Sequence, residues 1–130
     1  VVPLDHPQLV SGMGAGADLA RREADVVLVA ASRLGNLDLP FDKYWGDPAR
    51  QEVVQIDVDP RDIGVTRPLA MGIVADVKQV LEGLNQALAA RGAGARDAAF
   101  ARRCREAGEP AVAAQRATLE SWQGPGLHPA

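Results

Sequence analysis

The chain has 130 residues, of which 47% are apolar, and its formal charge is −3. This length supports one domain with a modest core, and the apolar content excludes a chain that is disordered throughout. The weak negative charge argues against nucleic acid as the main partner. Acidic residues outnumber basic ones by 13 to 8 in residues 1–90, whereas basic residues lead by 6 to 4 in residues 91–130, so the two segments differ in character.

The cysteine and hydropathy patterns indicate a cytoplasmic protein. Cys104 is the only cysteine, which excludes a disulfide framework and a metal site built on cysteines. We expect Cys104 to be a small apolar residue on a helix. No apolar run reaches the ~18 residues of a membrane span, and no charged leader precedes an apolar stretch as in a secretory signal. We therefore expect no membrane partner.

Strands and helices alternate in the first part of the chain. Residues 16–22 predict a helix, and the unbroken apolar run 26–31 predicts a strand covered by helices on both faces, because it lacks polar alternation. Residues 53–58 and 71–75 predict two more strands, with room for one helical turn over residues 60–64. This alternation predicts a parallel sheet with right-handed crossovers.

The strongest helix signal follows the third strand. Asp76 is the predicted N-cap, Gln79 completes a capping box, and Gly92 and Gly94 end the helix. Its apolar residues recur at steps of three and four: Val80, Leu81, Leu84 and Leu88.

Two weaker helices are predicted near the end of the chain, over residues 96–107 and 111–122. Gly108-Glu109-Pro110 separates them. Their few apolar residues are Phe100, Cys104, Leu119 and Trp122. We expect a domain over residues 1–90 and a helical connector over residues 91–130.

Five short segments occur in an order that resembles a known family. They are Asp5-His6-Pro7, Ala24–Val29 with Ser32-Arg33-Leu34, Ile56–Pro60, Ile63-Gly64, and Val74–Lys78. Together they resemble the central domain of thiamine-diphosphate enzymes typified by the acetolactate synthase large subunit, over roughly residues 3–90. The resemblance implies an α/β fold with a Rossmann-like (DHS-like) parallel sheet flanked by helices. It also implies that this is the second half of the usual six-stranded domain, with a helical tail leading towards a cofactor-binding domain.

The resemblance further implies what the parent enzyme does. Family members hold thiamine diphosphate and Mg²⁺ between two other domains, through a glutamate on one and a Gly-Asp-Gly motif with a later Asn on the other. No Gly-Asp-Gly occurs in this chain, so we expect it to bind neither group and to be inactive alone. The parent is expected to act on 2-oxo acids as a lyase or transferase, with the other domains of the same enzyme as partners in a homo-oligomer.

In some family members the central domain binds FAD, ADP or coenzyme A, and the resemblance maps the contacts to three strand ends. The predicted cofactor-binding residues are Ser32, Arg33, Asp57, Val58, Asp76 and Val77. A carboxylate there accepts hydrogen bonds from ribose hydroxyls or an adenine amino group, and a guanidinium grips phosphate. Ala31-Ser32 stands where the family usually has Gly, which weighs against a bound ligand and against FAD in particular.

The charged residues at and near these strand ends also have a purely structural interpretation. Asp59, which precedes Pro60, is predicted to be an N-cap. Asp76 is predicted to be a cap first and a nucleotide contact second. For Asp57, a ligand and local backbone amides are equally good partners. Arg33 at the start of a loop is usually solvated.

Two further patterns carry no function. Residues 12–17 fit the G-x-G-x-x-[GA] fingerprint, but no convincing strand precedes them, so they predict a tight loop that opens a helix. His6 and His128 are far apart, without metal-ligand spacing.

Three functions therefore stay open at this stage. The leading hypothesis is a non-catalytic central domain that is structural and holds an adenine nucleotide. The alternatives are a stand-alone nucleotide-binding module and an oligomerisation domain, since a half-sheet leaves a strand edge without a partner.

Overall fold

The computed structural model describes residues 6, 8–10, 14–35, 44–92, 94 and 98–124. The predicted residues Asp5, Pro7, Gly12, Met13 and His128 lie outside these ranges. The elements in chain order are α1 (Ala15–Glu23), β1 (Val26–Ala30), β2 (Glu52–Asp57), a 3-10 turn (Pro60–Asp62), β3 (Met71–Val74), α2 (Val77–Ala90) and α3 (Ala98–Glu120). The three predicted strands and the helices that flank them are confirmed.

The three strands form one parallel sheet in the order β1-β2-β3. Val29 pairs with Gln55 and Gln55 with Gly72, so these three residues lie in one row across the sheet. Together with α2, which contacts β2, this is the predicted α/β architecture. It places the carboxyl ends of all three strands at one edge.

Ile56 is fully buried on one face of the sheet, and a cluster of buried apolar residues lies on the other. Val29 and Val53 are buried there against Leu34 and Trp45, with Val27, Tyr44 and Leu69 at the margin. On the opposite face Val26 and Leu28 are 57% and 43% exposed. The expectation that this strand is covered on both faces is therefore wrong within the described residues. The physical reason is that β1 is the edge strand of the described sheet and its successive side chains point to opposite faces. Along β1, the packed side chains are Val27 and Val29, which share one face.

The structure corrects the prediction of two terminal helices. α3 is one helix that runs through Pro110. Pro110 lacks the N–H that would donate to the carbonyl of Glu106, which costs about 3 kcal/mol inside a helix. The Ala- and Arg-rich turns on both sides favour helix. In addition, Gly108 packs closely on Gly16 of α1, where an added Cβ would lie 3.2 Å from the Gly108 Cα.

Two compact units divide the chain, one comprising Val1–Ala20 with Asp97–Ala130 and the other Arg21–Arg96. In the first unit Cys104 is buried on α3, as predicted, while Leu119 and Trp122 are largely exposed. The second unit contains the whole sheet. A functional domain boundary near residue 90 stays a prediction. None of the described helices has the length and apolar content needed to cross a membrane.

Candidate functional site

The structure brings the three predicted strand ends together at one edge of the sheet. Past the last residue of β1, Ala31 N–H donates to the carbonyl of Ile56 at 3.0 Å. Past β3, Ala75 N–H donates to the carbonyl of Asp57 at 3.0 Å. The parallel ladder therefore extends by one residue at both flanks of β2. The pairs Ser32-Arg33, Asp57-Val58 and Asp76-Val77 follow adjacent strands.

The end of β1 has an unusual backbone. Ala31 and Leu34 have φ angles of 51° and 53°, in the left-handed region that favours glycine. Between them the Ser32 hydroxyl accepts a hydrogen bond from Leu34 N–H at 3.2 Å. The Arg33 side chain is exposed, which is the solvated position that the sequence predicts by default.

The end of β2 contains a buried carboxylate. Asp57 is only 9% exposed, and its Oδ1 accepts from Asp59 N–H at 3.0 Å. No other hydrogen bond to this carboxylate is found within the described part of the chain. The hydrogen-bond partner of Asp57 is thus a local amide, which binds one of its two carboxylate oxygens. Val58, which follows it, is 74% exposed.

Asp59 is the N-cap of the 3-10 turn, as predicted. Its Oδ1 accepts from Arg61 N–H at 2.9 Å. The Arg61 guanidinium also donates to both carboxylate oxygens, with Nη2 2.6 Å from Oδ2. This hydrogen bonding holds the pKa of Asp59 below its usual range and raises the pKa of Arg61. Both oxygens of the Asp59 carboxylate therefore already accept hydrogen bonds within its own turn.

Asp76 caps α2 in the same way. Its Oδ1 accepts from Gln79 N–H at 3.2 Å, which confirms the predicted cap. The Asp76 side chain is exposed and Val77 is half-buried. One carboxylate oxygen of Asp76 therefore serves the helix, and binding of a nucleotide by this pair stays a prediction.

Gln55 is the residue at this edge that sequence reasoning missed. Its side chain is 2% exposed and reaches three backbone groups in two loops. Nε2 donates to the carbonyls of Ser32 at 3.0 Å and Asp62 at 2.8 Å. Oε1 accepts from Gly64 N–H at 2.9 Å. The available signal was an amide inside the apolar run of β2, since a buried amide requires several partners.

A second buried glutamine lies at the opposite end of β2. Gln51 is 9% exposed, and its Nε2 donates to the carbonyls of Arg21 at 2.6 Å and Ala24 at 2.8 Å. Its Oε1 accepts from Gly46 N–H at 3.2 Å. This end also has a cavity of about 210 Å³, lined in part by Arg67. Arg67 stacks on the Trp45 ring 4.0 Å from its centroid. None of the predicted site residues lines this cavity.

The glycines that fit a dinucleotide fingerprint have structural roles where they are described. Gly14 has a φ of 92° and α1 begins at Ala15, which confirms a tight loop opening a helix. Gly16 is buried, and a Cβ at this position would collide with the backbone carbonyl oxygen of Cys104. His6 is exposed, and its Nδ1 accepts from Gln8 N–H at 3.1 Å. It lines a groove of about 680 Å³ whose other walls include Arg102 and Glu106 of α3.

Comparison with known families decides what this sheet is. Residues 1–84 match the family model of the thiamine pyrophosphate enzyme central domain. The chain belongs to this family. The resemblance inferred from the five short segments is thereby confirmed, and the Rossmann-like fold expected from it agrees with the three parallel strands.

The relatives of this central domain are much longer proteins. Sulfoacetaldehyde acetyltransferase from Roseovarius nubinhibens is 40% identical over 90 residues, which cover 60% of the chain and 14% of that enzyme. The enzyme of the same name from Rhodobacter capsulatus is 35% identical over 100 residues, covering 68% of the chain and 16% of the enzyme. Oxalyl-CoA decarboxylase from Escherichia coli K12 is 31% identical over 70 residues, covering 54% and 12%. The chain therefore spans about one seventh of these relatives, and a specific likeness to acetolactate synthase stays a prediction.

Two observations concern the family's cofactor. The sequence has no Gly-Asp-Gly motif. Within the ranges that the structure describes, no three His, Cys, Asp or Glu side chains gather as they would around a metal ion. Thiamine diphosphate belongs to the parent enzymes of the family, and no residue of this chain is assigned to it.

Proposed function

We propose that the chain is a non-catalytic scaffold domain of a thiamine-diphosphate enzyme and that its strand ends hold an adenine nucleotide. The observation that supports this most is the convergence of three polar strand ends beside the buried Asp57 carboxylate. Ligands of open parallel sheets bind outside the carboxyl ends of the strands. The proposed contacts are Ser32, Arg33, Asp57, Val58, Asp76 and Val77.

Each side chain has a role that its position allows. The Asp57 oxygen that does not serve Asp59 N–H accepts from a ribose hydroxyl or an adenine amino group. The exposed Arg33 guanidinium donates two parallel hydrogen bonds to a phosphate. Asp76 contributes through the oxygen that does not cap α2.

The end of β1 favours ADP or coenzyme A over FAD. Ala31 adopts the left-handed conformation for which the family's glycine is suited, and its methyl group restricts close approach of a ligand to the backbone. Coenzyme A is included because one relative acts on oxalyl-CoA.

The role of the parent enzyme is part of the same proposal. It would cleave or transfer a two-carbon unit from a 2-oxo acid, with thiamine diphosphate and Mg²⁺ held by its other domains in the cytoplasm. Sequencing the gene on both sides of these residues tests this directly. We expect a Gly-Asp-Gly motif with a downstream Asn, and their absence from the whole reading frame would contradict the assignment.

A thermal-shift screen with ADP, coenzyme A, NAD and FAD tests the nucleotide site. We expect ADP or coenzyme A to raise the melting temperature at micromolar concentrations. At 100 times the Kd a ligand stabilises by about 2.7 kcal/mol. If no ligand shifts the melting temperature, only the scaffold role remains. A larger shift with FAD than with ADP would contradict the argument from Ala31.

An oligomerisation domain is the second candidate. Within the described residues β1 pairs only with β2, and Val26 and Leu28 are exposed on one of its faces. A strand edge of this kind can pair with a second copy. Light scattering over a range of concentrations tests this: a dimer would support it, and a monomer at all concentrations would exclude it for the chain alone.

A further inference from the structure

We infer that Gln55 is the positioning residue of the proposed nucleotide site, fixing the loops after β1 and β2 in the geometry that the ligand requires. This inference rests on the proposed function above. It concerns a side chain that does not touch the ligand. Its amide lies beneath the strand ends and holds their loops together.

The hydrogen bonds of Gln55 span both loops. Nε2 uses its two hydrogens, one for the Ser32 carbonyl after β1 and one for the Asp62 carbonyl after β2. Oε1 accepts from Gly64 N–H. The primary amide therefore has both donors and its acceptor engaged. Gln55 is only 2% exposed, so these hydrogen bonds lie in the interior. Loss of such an amide leaves two carbonyls and one N–H without their partner.

The loop after β1 depends on this contact. Ser32 lies between the left-handed residues Ala31 and Leu34, and such a backbone persists only when its surroundings hold it. The Ser32 carbonyl is held by Gln55, and the Ser32 hydroxyl accepts from Leu34 N–H. Removing the Gln55 amide frees this loop to relax, and Arg33 relaxes with it.

Gln55 also acts close to Asp57. The two residues are two positions apart on β2, so their side chains point to the same face, about 7 Å apart along the strand. Both are buried. The turn that follows Asp57 is anchored at Asp62 and Gly64 by the same amide. One side chain thus orients the carboxylate's turn and the arginine's loop.

Gln51, which immediately precedes β2, provides a matched control. It is a buried glutamine whose amide donates to two carbonyls and accepts from one backbone N–H, as Gln55 does. Its partners Arg21, Ala24 and Gly46 lie at the opposite end of the sheet. Gln51→Leu and Gln55→Leu therefore remove the same kinds of bonds, but only the second affects the proposed site.

The test combines ADP titration with amide hydrogen exchange on three proteins, which are the unsubstituted chain, Gln55→Leu and Gln51→Leu. We expect the Kd for ADP to rise at least about tenfold in Gln55→Leu and to change less than about twofold in Gln51→Leu, given three lost hydrogen bonds in each. Exchange at Gly64 and over residues 32–34 should accelerate only in Gln55→Leu. Equal losses of affinity in both variants, or none in Gln55→Leu, would overturn the inference.

Two arms keep the outcome decisive. If Gln55→Leu does not fold, Gln55→Glu replaces it, because this variant keeps the shape and the acceptor but faces two carbonyl oxygens without donors. If the unsubstituted chain binds no ADP, the proposed function fails. Amide hydrogen exchange alone then decides whether Gln55 positions the two loops. Acceleration confined to both loops in the Gln55 variant then supports that role, and unchanged exchange refutes it.

Discussion

At the scale of single residues, the loop after β1 is the most informative place in the structure. Ala31 has a φ of 51°, which costs an L-residue with a Cβ roughly 1–2 kcal/mol relative to its preferred regions. Glycine adopts this backbone conformation without the clash that a Cβ introduces. Ala31 therefore places a methyl group at the strand end at some cost in stability.

Ala31→Gly is expected to stabilise the chain by about 0.5–1 kcal/mol. The gain is the relief of the left-handed conformation, reduced by the greater freedom of glycine in the unfolded state. Urea denaturation measures it. Ala30→Gly is the neighbouring control within β1, and it is expected to destabilise by a similar amount because its backbone is that of a strand. A loss of stability in both variants would contradict the account of Ala31.

The Asp59–Arg61 pair makes a prediction about pH. Hydrogen bonds from Arg61 lower the pKa of Asp59 in the folded chain. A lowered folded pKa contributes stability above the unfolded pKa, and this contribution is lost as the pH falls through the folded value. The pair is exposed, so the effect on stability is small. Carboxyl NMR titration should show the pKa of Asp59 rising in Arg61→Ala, and an unchanged pKa would exclude the pair as its cause.

At the scale of elements, the sequence predicted every strand and three of the helical segments within a residue or two, because their apolar periods and caps are local signals. The prediction of two separate terminal helices failed at Pro110. The helix-breaking tendency of proline is outweighed there by helix-favouring neighbours and by the contact between Gly108 and Gly16. Sequence reasoning also missed Gln55, whose partners Ser32 and Asp62 are 23 and 7 residues away. Such contacts appear only once the strands are aligned.

Pro110→Ala tests the continuity of α3. Because the helix runs through this position, restoring the N–H to Glu106 should stabilise it by up to about 3 kcal/mol. Thermal unfolding and the helical signal in circular dichroism would both increase. Two separate helices ending at Gly108 would instead show no gain from the substitution.

Gly16 and Gly83 test what the helical glycines do. A Cβ on Gly16 would meet the Cys104 carbonyl and the Gly108 backbone, so Gly16→Ala is expected to destabilise by about 1–3 kcal/mol. Gly83 lies inside α2 with no atom within 4 Å of an added Cβ, so Gly83→Ala should stabilise by about 0.5–1 kcal/mol. Denaturant midpoints measure both. If both substitutions stabilise, Gly16 has no packing role.

At the scale of the whole molecule, the chain belongs to a family of central domains, and its matches cover only about one seventh of the length of the relatives. Its sheet has polar strand ends at one edge, held by Gln55, and a second glutamine anchor at the other. Neither end supplies the motif that binds thiamine diphosphate. We propose that this domain provides scaffolding and nucleotide binding, and that other domains carry out the family's chemistry.

Isothermal titration calorimetry on the chain tests this assignment most directly, with ADP in one series and thiamine diphosphate with Mg²⁺ in another. The account predicts one-to-one binding of ADP, weakened by Asp57→Asn because the substituted amide replaces a carboxylate oxygen with a donor. It predicts no binding of thiamine diphosphate with Mg²⁺. Saturable binding of thiamine diphosphate, together with no heat from ADP, would contradict it.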